Sequence, residues 1–312
     1  MGRKLIISGI GSRQTPNNIL KEMIQVGAYI RSFGGWVRSG HADGADLAFE
    51  LGAKDHAIVY LPYPNFNVKK DKELLGRAKV INEGDNAILD ESVMLYHPAG
   101  DKLSVAAINF MRRNCAQVLG ANTSQASDAV VCYADPEKLG GTGQAMRIAA
   151  AYNIPVINMF YDQYSTFDGV ITVLHAIWQR KVDTDPIDFK GEDKWIYGFL
   201  SNYCTVPFYW DHKKLGVLRW KSAEHALQAA KTGNKQIATK IAKALTPKQA
   251  NTYGEKLKIP ENYELMIKKI LENKFKNPAL CGMLLETQDR ELLDAPVLME
   301  VRSEQARRTC DY

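Results

Sequence analysis

Apolar and polar positions follow two rhythms along this chain, and the change falls near residue 185. Over the first 180 residues, short apolar runs alternate with longer stretches of helical period. Residues 4–8 read as a strand, 17–33 as a helix stopped by Gly34 and Gly35, and 36–39 as a second strand; after the small-residue run 39–46 a helix extends to Leu51. Residues 57–61 give a third strand, 103–119 a helix, 129–133 a strand, the stretch after 140–143 a helix to Tyr152, 155–160 a last strand and 168–178 a closing helix. This alternation predicts an α/β fold, a Rossmann-like doubly wound parallel sheet over residues 1–182. Residues 62–100 are polar, with Pro62, Pro64, a charged run at 69–72 and Pro98; they read as a passive loop, with a lid as the alternative. Beyond a boundary at 181–193 the pattern turns helical, at 236–244, 247–257, 261–275 and 278–286. A second, mainly α domain with a few short strands is expected over 190–312.

Ligands of open parallel sheets bind beyond the carboxyl ends of the strands. Three small-residue turns fall at that predicted edge. They are residues 9–13, with Gly11, Ser12 and Arg13; residues 39–46, with Ser39, Gly40, Gly44 and Asp46; and residues 140–143, Gly140, Gly141, Thr142 and Gly143. Glycine lets backbone N–H groups approach a phosphate, and a following helix N-terminus adds a favourable dipole. Together they predict a pocket for a nucleotide-derived small molecule. Arg13, Arg112 and Arg113 are candidates for its phosphates. Asp43 and Asp46 are placed either to touch a ribose or base or to cap the next helix.

In the second half, Glu224, Gln228 and Lys231 recur at steps of four and three on one predicted helix, hence on one narrow stripe. Ala223, Ala226, Leu227 and Ala230 form the adjoining apolar stripe. Spacing alone leaves open a polar pocket or a solvated surface pair. Ser222 is the expected N-cap, and His225 points about 100° away from the stripe.

The runs Gly198-Phe199-Leu200-Ser201-Asn202-Tyr203, Trp220-Lys221-Ser222-Ala223-Glu224-His225-Ala226 and Gln228-Ala229-Ala230-Lys231 resemble the NADAR (YbiA-like) family. So do Ala244-Leu245-Thr246-Pro247 with Ala250 and Gly254, Phe275-Lys276-Asn277-Pro278, and the run from Leu284 to Leu292. The likeness covers roughly residues 190–295. It implies cleavage of an N-glycosidic bond in ADP-ribose-type nucleotides, with Glu224 against the ribose. Lys231 would hold phosphate or form a Schiff base with an opened sugar. Phe199 and Trp220 would stack on a base or pack as core, Asn202 and Gln228 would bond sugar or base edges, and Asp289 with Arg290 would complete the site or pair with each other. The family continues after this run into a stretch with Trp and Gly; here residues 295–312 contain neither.

The first half resembles the SLOG superfamily, which includes DNA-processing-A and LOG-like Rossmann proteins. The motifs are Gly11-Ser12-Arg13, the run 39–46 and Gly140-Gly141-Thr142-Gly143. LOG-type enzymes cleave with a glutamate after that last loop. No glutamate follows it here, so the resemblance implies that this domain binds and does not cleave.

Composition adds limits. Residues 1–189 hold 19 basic and 20 acidic side chains, a net of −1, and residues 190–312 hold 21 and 15, a net of +6. A basic second half suits an anionic partner, from a pyrophosphate to a nucleic acid (ADP-ribosylated, on the family resemblance), and Lys268, Lys269, Lys274 and Lys276 either flank one or form solvated helix faces. Five scattered cysteines without a CxxC pair argue against a disulfide framework or a zinc site and for a reducing, cytoplasmic compartment. The six histidines form no ligand-spaced cluster, so neither metal nor cofactor is expected. No apolar run reaches membrane-span length, and the start reads as a strand and not a signal peptide. Rival readings are a non-catalytic binder of NAD-derived signals, as in phage defence or counter-defence, an N-glycosidase of riboflavin-pathway intermediates, and a DNA-binding module. A homo-oligomer formed through the first domain stays open.

Overall fold

The computed structural model describes residues 4–67, 78–81, 87–183 and 185–310. The charged run 69–72 lies outside them. The chain divides into two compact units: Met1–Ala150 with Ile154–Asp183, and Ala151–Asn153 with Thr184–Tyr312.

Unit 1 is built on a six-stranded parallel sheet in the order β4-β3-β2-β1-β5-β6. The strands are β1 (Ile6–Gly11), β2 (Trp36–Ser39), β3 (Ala57–Leu61), β4 (Lys79–Val80), β5 (Ala129–Tyr133) and β6 (Val156–Asn158). β1 and β5 are buried along nearly all their length, as strands covered on both faces must be, which is why their residues do not alternate. The helices are α1 (Asn17–Ser32), α2 (Ala45–Ala53), α3 (Ala87–Tyr96), α4 (Val105–Leu119), α5 (Gly141–Ala151) and α6 (Phe167–Val182). α1 buries Ile19, Met23, Val26 and Ile30, one face at helical spacing, against a core that includes Phe49, Val59 and Val131.

The α/β reading holds, with three corrections of detail. β1 runs through Gly9 to Gly11, because β5 continues to pair with it up to Gly11↔Tyr133. Gly141–Gly143 is the first turn of α5 and not a loop before it. Within 62–100, read as a passive loop, lie the edge strand β4 and helix α3, whose Leu89 and Val93 are buried.

Unit 2 is mainly helical around one antiparallel hairpin, β7 (Phe208–His212) and β8 (Gly216–Trp220), in register from Phe208↔Trp220 to His212↔Gly216. Phe208, His212 and Trp220 face inward and alternate residues outward, the pattern of a sheet with one wet face. The helices are α7 (Lys194–Tyr197), α8 (Ala223–Ala230), α9 (Lys235–Ala242), α10 (Pro247–Gly254), α11 (Tyr263–Lys274), α12 (Pro278–Leu285) and α13 (Pro296–Cys310). Ser222, Asn234, Thr246 and Asn277 cap α8, α9, α10 and α12 through side-chain oxygens. Among the described residues no helix is long and apolar enough to cross a membrane.

Candidate functional site

α8 enters directly from β8, so the polar stripe begins where the hairpin ends. Ser222 accepts the backbone N–H of His225, and its hydroxyl meets His225 Nδ1 at 2.8 Å. His225 Nε2 lies 3.2 Å from the Ala244 carbonyl, and burial pushes the imidazole below its ordinary pKa. Both ring nitrogens are thus occupied by structure.

Glu224, one residue earlier, is only 5% exposed. Its Oε1 accepts two amide N–H bonds, from Gln228 Nε2 at 2.7 Å and from Asn251 Nδ2 at 2.7 Å. Its backbone N–H donates to the Asn202 carbonyl at 2.9 Å. No donor among the described residues meets Oε2. Asn251 reaches Glu224 because α10 lies very close to α8. A Cβ on Gly254 would stand 2.4 Å from Gln228 Oε1, so only glycine allows the approach.

Two tyrosines share this neighbourhood. Tyr263 on α11 donates its hydroxyl to the Leu227 carbonyl at 3.2 Å; burial, and then the charge of Glu224, push its pKa up to about 12. Tyr203 is 45% exposed, and burial with the Glu224 charge raises its pKa too. Half-buried Lys231 ends α8, its ammonium 5.8 Å from the centre of the Tyr263 ring. Glu224, Gln228, Asn202 and Lys231 from the sequence reading therefore gather around α8.

Other expected residues go elsewhere. Trp220 is 2% exposed, with its indole N–H on the Trp210 carbonyl at 3.0 Å, and Phe199 is buried as well. Neither presents a ring face for stacking; both are core. One N–H of the Gln228 amide is taken by Glu224. Asp289 is exposed beyond α12, with Arg302 near its charge. Arg290 donates to the Asp185 carbonyl at 2.7 Å and the Tyr197 hydroxyl at 2.8 Å.

Lys274 corrects the picture of a solvated basic face. It is fully buried, and its ammonium donates to the carbonyls of Phe199, Leu200 and Ser201 at 2.7, 3.3 and 2.9 Å. Burial lowers its pKa to about 8. It holds the segment that delivers Asn202 and Tyr203. Lys268 pairs with Glu304 at 2.7 Å, and Lys276 donates to Asn273. α13 is tied to the segment after α12: Arg302 Nη1 donates to Thr287 Oγ1 and to the Arg290 carbonyl, both at 2.8 Å.

Unit 1 carries a separate cleft of about 580 Å³. It opens past the carboxyl ends of β1 and β5, where the strand order turns from one half of the sheet to the other. Gly11, Ser12, Arg13, Asp46, Gly140, Gly141 and Thr142 line it; Ser39, Gly40, Gly44 and Gly143 do not. Those four are buttresses. Ser39 Oγ donates to the Asp46 carbonyl at 3.2 Å, and Gly44 sits at φ +82° against the backbone of Ser12 and Arg13. A Cβ on Gly40 would stand 1.6 Å from Arg113 Nη1, and Gly143 is close to Leu139.

Arg113 Nη1 is bonded to Asp46 Oδ2 at 2.8 Å in a buried pair. Desolvation raises Asp46 to about 6 although Arg113 opposes it, and burial likewise lowers Arg113. Both shifts have one cause, removal from water. Arg112 is committed to Asp90 and Asn109 and does not line the cleft. α2 has no side-chain cap; Asp43 accepts instead from Asn67 at 3.5 Å. Arg13 and Lys138 are exposed cations of the cleft lining, which also includes Gly141 and Thr142 of the first turn of α5. Among the described residues no group of three or more His, Cys, Asp or Glu side chains could hold a metal ion.

Tyr203, Asn251 and Tyr263 were not nominated from sequence. Tyr203 closes a run that was noted. Asn251 stands three residues before Gly254, hence on the same face of α10. Tyr263 carries no local signal.

Residues 188–298 match the model of the NADAR domain. Among solved structures the chain is similar to the E. coli protein YbiA, determined by NMR, at 23% identity, with 42% of this chain and 90% of that one covered and a TM-score of 0.34. It is also similar to DNA processing protein A from Helicobacter pylori, whose structure concerns single-stranded DNA binding. There the identity is 18%, the coverage 56% of this chain and 73% of that one, and the TM-score 0.38. Likenesses at these scores say nothing about chemistry. No curated protein matches the chain.

Proposed function

We propose that unit 2 is an N-glycosidase acting on a base-linked ADP-ribose, as a free nucleotide or on guanine in nucleic acid. The observation that carries this reading is Glu224: a buried carboxylate with one oxygen held by two amide donors and the other without a donor. Breaking a ribosyl C–N bond builds positive charge on the sugar, and a fixed carboxylate stabilises that charge or directs water to it. The match of residues 188–298 to the NADAR domain supports the assignment. Tyr203, with its exposed ring, takes the stacking role first given to Trp220 and Phe199. Lys231, whose ammonium already faces a ring as a cation does, is assigned to phosphate.

Unit 1, read as a SLOG-like domain over residues 1–182, binds the nucleotide-derived ligand in its cleft. Phosphate would lie at Arg13 and the first turn of α5. The glycosidase domain then spans residues 190–312.

The test compares wild type and Glu224→Gln on an ADP-ribosylated guanosine oligonucleotide, on NAD and on ADP-ribose, with products read by liquid chromatography–mass spectrometry. Wild type is expected to release ADP-ribose from one of the base-linked substrates, and the variant to be slower by about 10²-fold or more. Equal turnover by both proteins would remove Glu224 from the chemistry. Absence of turnover with a nucleotide retained by both would replace the enzyme with a binder.

A further inference from the structure

We infer that Asn251 is a positioning residue of the Glu224 site: from α10 it fixes which carboxylate oxygen is held and which is offered to substrate. This rests on the reading of Glu224 given above.

The geometry is specific. Both amide donors converge on Oε1, Gln228 from one turn along α8 and Asn251 from a different helix, each at 2.7 Å. A carboxylate held by a single donor keeps freedom to rotate about its last bond. One held at the same oxygen from two directions does not, so Oε2 stays the outward oxygen.

Gln228 cannot do this alone. Its own Oε1 is buried without a hydrogen-bond partner, against the backbone of Gly254. With Gln228 alone, Oε1 would be held from a single direction; Asn251 supplies the second hold from a different helix. The titratable groups around the carboxylate are Tyr203 before β7, His225 on α8, Lys231 at its end and Tyr263 on α11. The two tyrosines are held above their ordinary range and stay neutral through the pH range in which a carboxylate ionises.

The test uses the full chain with Asn251→Leu, which keeps bulk and removes the donor, Asn251→Asp, which replaces the donor with a negative charge, and Asn251→Gln as the conservative variant. Circular dichroism and melting curves establish that each is folded. For Leu and Asp kcat should fall by about tenfold, as for loss of one positioning contact, with KM little changed. Asn251→Gln should recover part of that loss. An unchanged kcat in Leu and Asp, a loss that falls on KM instead, or a Gln variant no better than Leu would overturn the inference.

A second readout needs no turnover: the chemical shift of the Glu224 carboxyl carbon is compared by NMR in wild type and in Asn251→Leu at one pH. Coincident resonances would overturn the role of Asn251 even in an active enzyme. A moved resonance in a protein without activity would leave Asn251 standing and remove the glycosidase reading instead.

Discussion

At the scale of single residues, Lys274 states most plainly how this site is held. Three consecutive carbonyls around one buried ammonium lock residues 199–201, so that the next residue meets Glu224. Its folded pKa of about 8 lies below the unfolded value of 10.5. The unfolded chain therefore binds more protons between those two values, and the contribution of Lys274 to stability rises as pH climbs from 8 to 10.5. Lys274→Met lacks this dependence. The difference in unfolding free energy between wild type and Lys274→Met, measured in urea at several pH values, should widen across that window by up to about 3 kcal/mol. A constant difference would mean that the amine does not titrate there. Such a role was invisible in the sequence, where Lys274 is one of several lysines on helices. The spacing of Glu224, Gln228 and Lys231 was legible because a single helix carries all three. Asn251 was not, because its contact depends on how two helices pack. Trp220 and Phe199 were misplaced for a related reason: residue type tells that a ring is apolar, not whether its face is covered.

Among elements, the parallel sheet was readable since buried strands write themselves as short apolar runs between helices. Failures came where an element is short or lacks a clean face. β4 has two residues, and α3 mixes Asp90, Glu91 and Ser92 with its buried Leu89 and Val93. α13 begins at Pro296 and carries charged residues at 300, 302, 304, 307 and 308, so no broad apolar stripe marks it. The link from β2 to α2 shows how tightly elements constrain one another. Gly40, just after β2, leaves the space that Arg113 of α4 fills on its way to Asp46 of α2. Gly40→Ala would force the guanidinium aside and leave two buried charges apart, at a cost of about 3 kcal/mol. Guanidinium unfolding curves for Gly40→Ala against wild type measure it; a loss near zero would show that Arg113 has another route to Asp46.

On the scale of the whole molecule, two compact units each have their own core, and neither uses cysteine as a cross-link among the described residues. Cys115, Cys132, Cys204 and Cys281 are free, and burial pushes Cys115 and Cys132 up to about 12, far from thiolate. Melting curves with and without dithiothreitol should superimpose, and iodoacetamide on native protein should reach half-buried Cys281 before Cys115 or Cys132. A melting temperature lowered by dithiothreitol would reveal a cross-link that this reading omits. Net charge was legible as a sum but not as a surface, since Lys274 is spent inside and Lys268 on its own acids. One property of the sheet reaches beyond ligand binding. Its outermost strands, β4 and β6, contribute two and three residues, flanking central strands of four to six. A strand from another molecule would find almost no ladder on which to grow. The described sheet is thereby poorly suited to extension by strand addition at either edge.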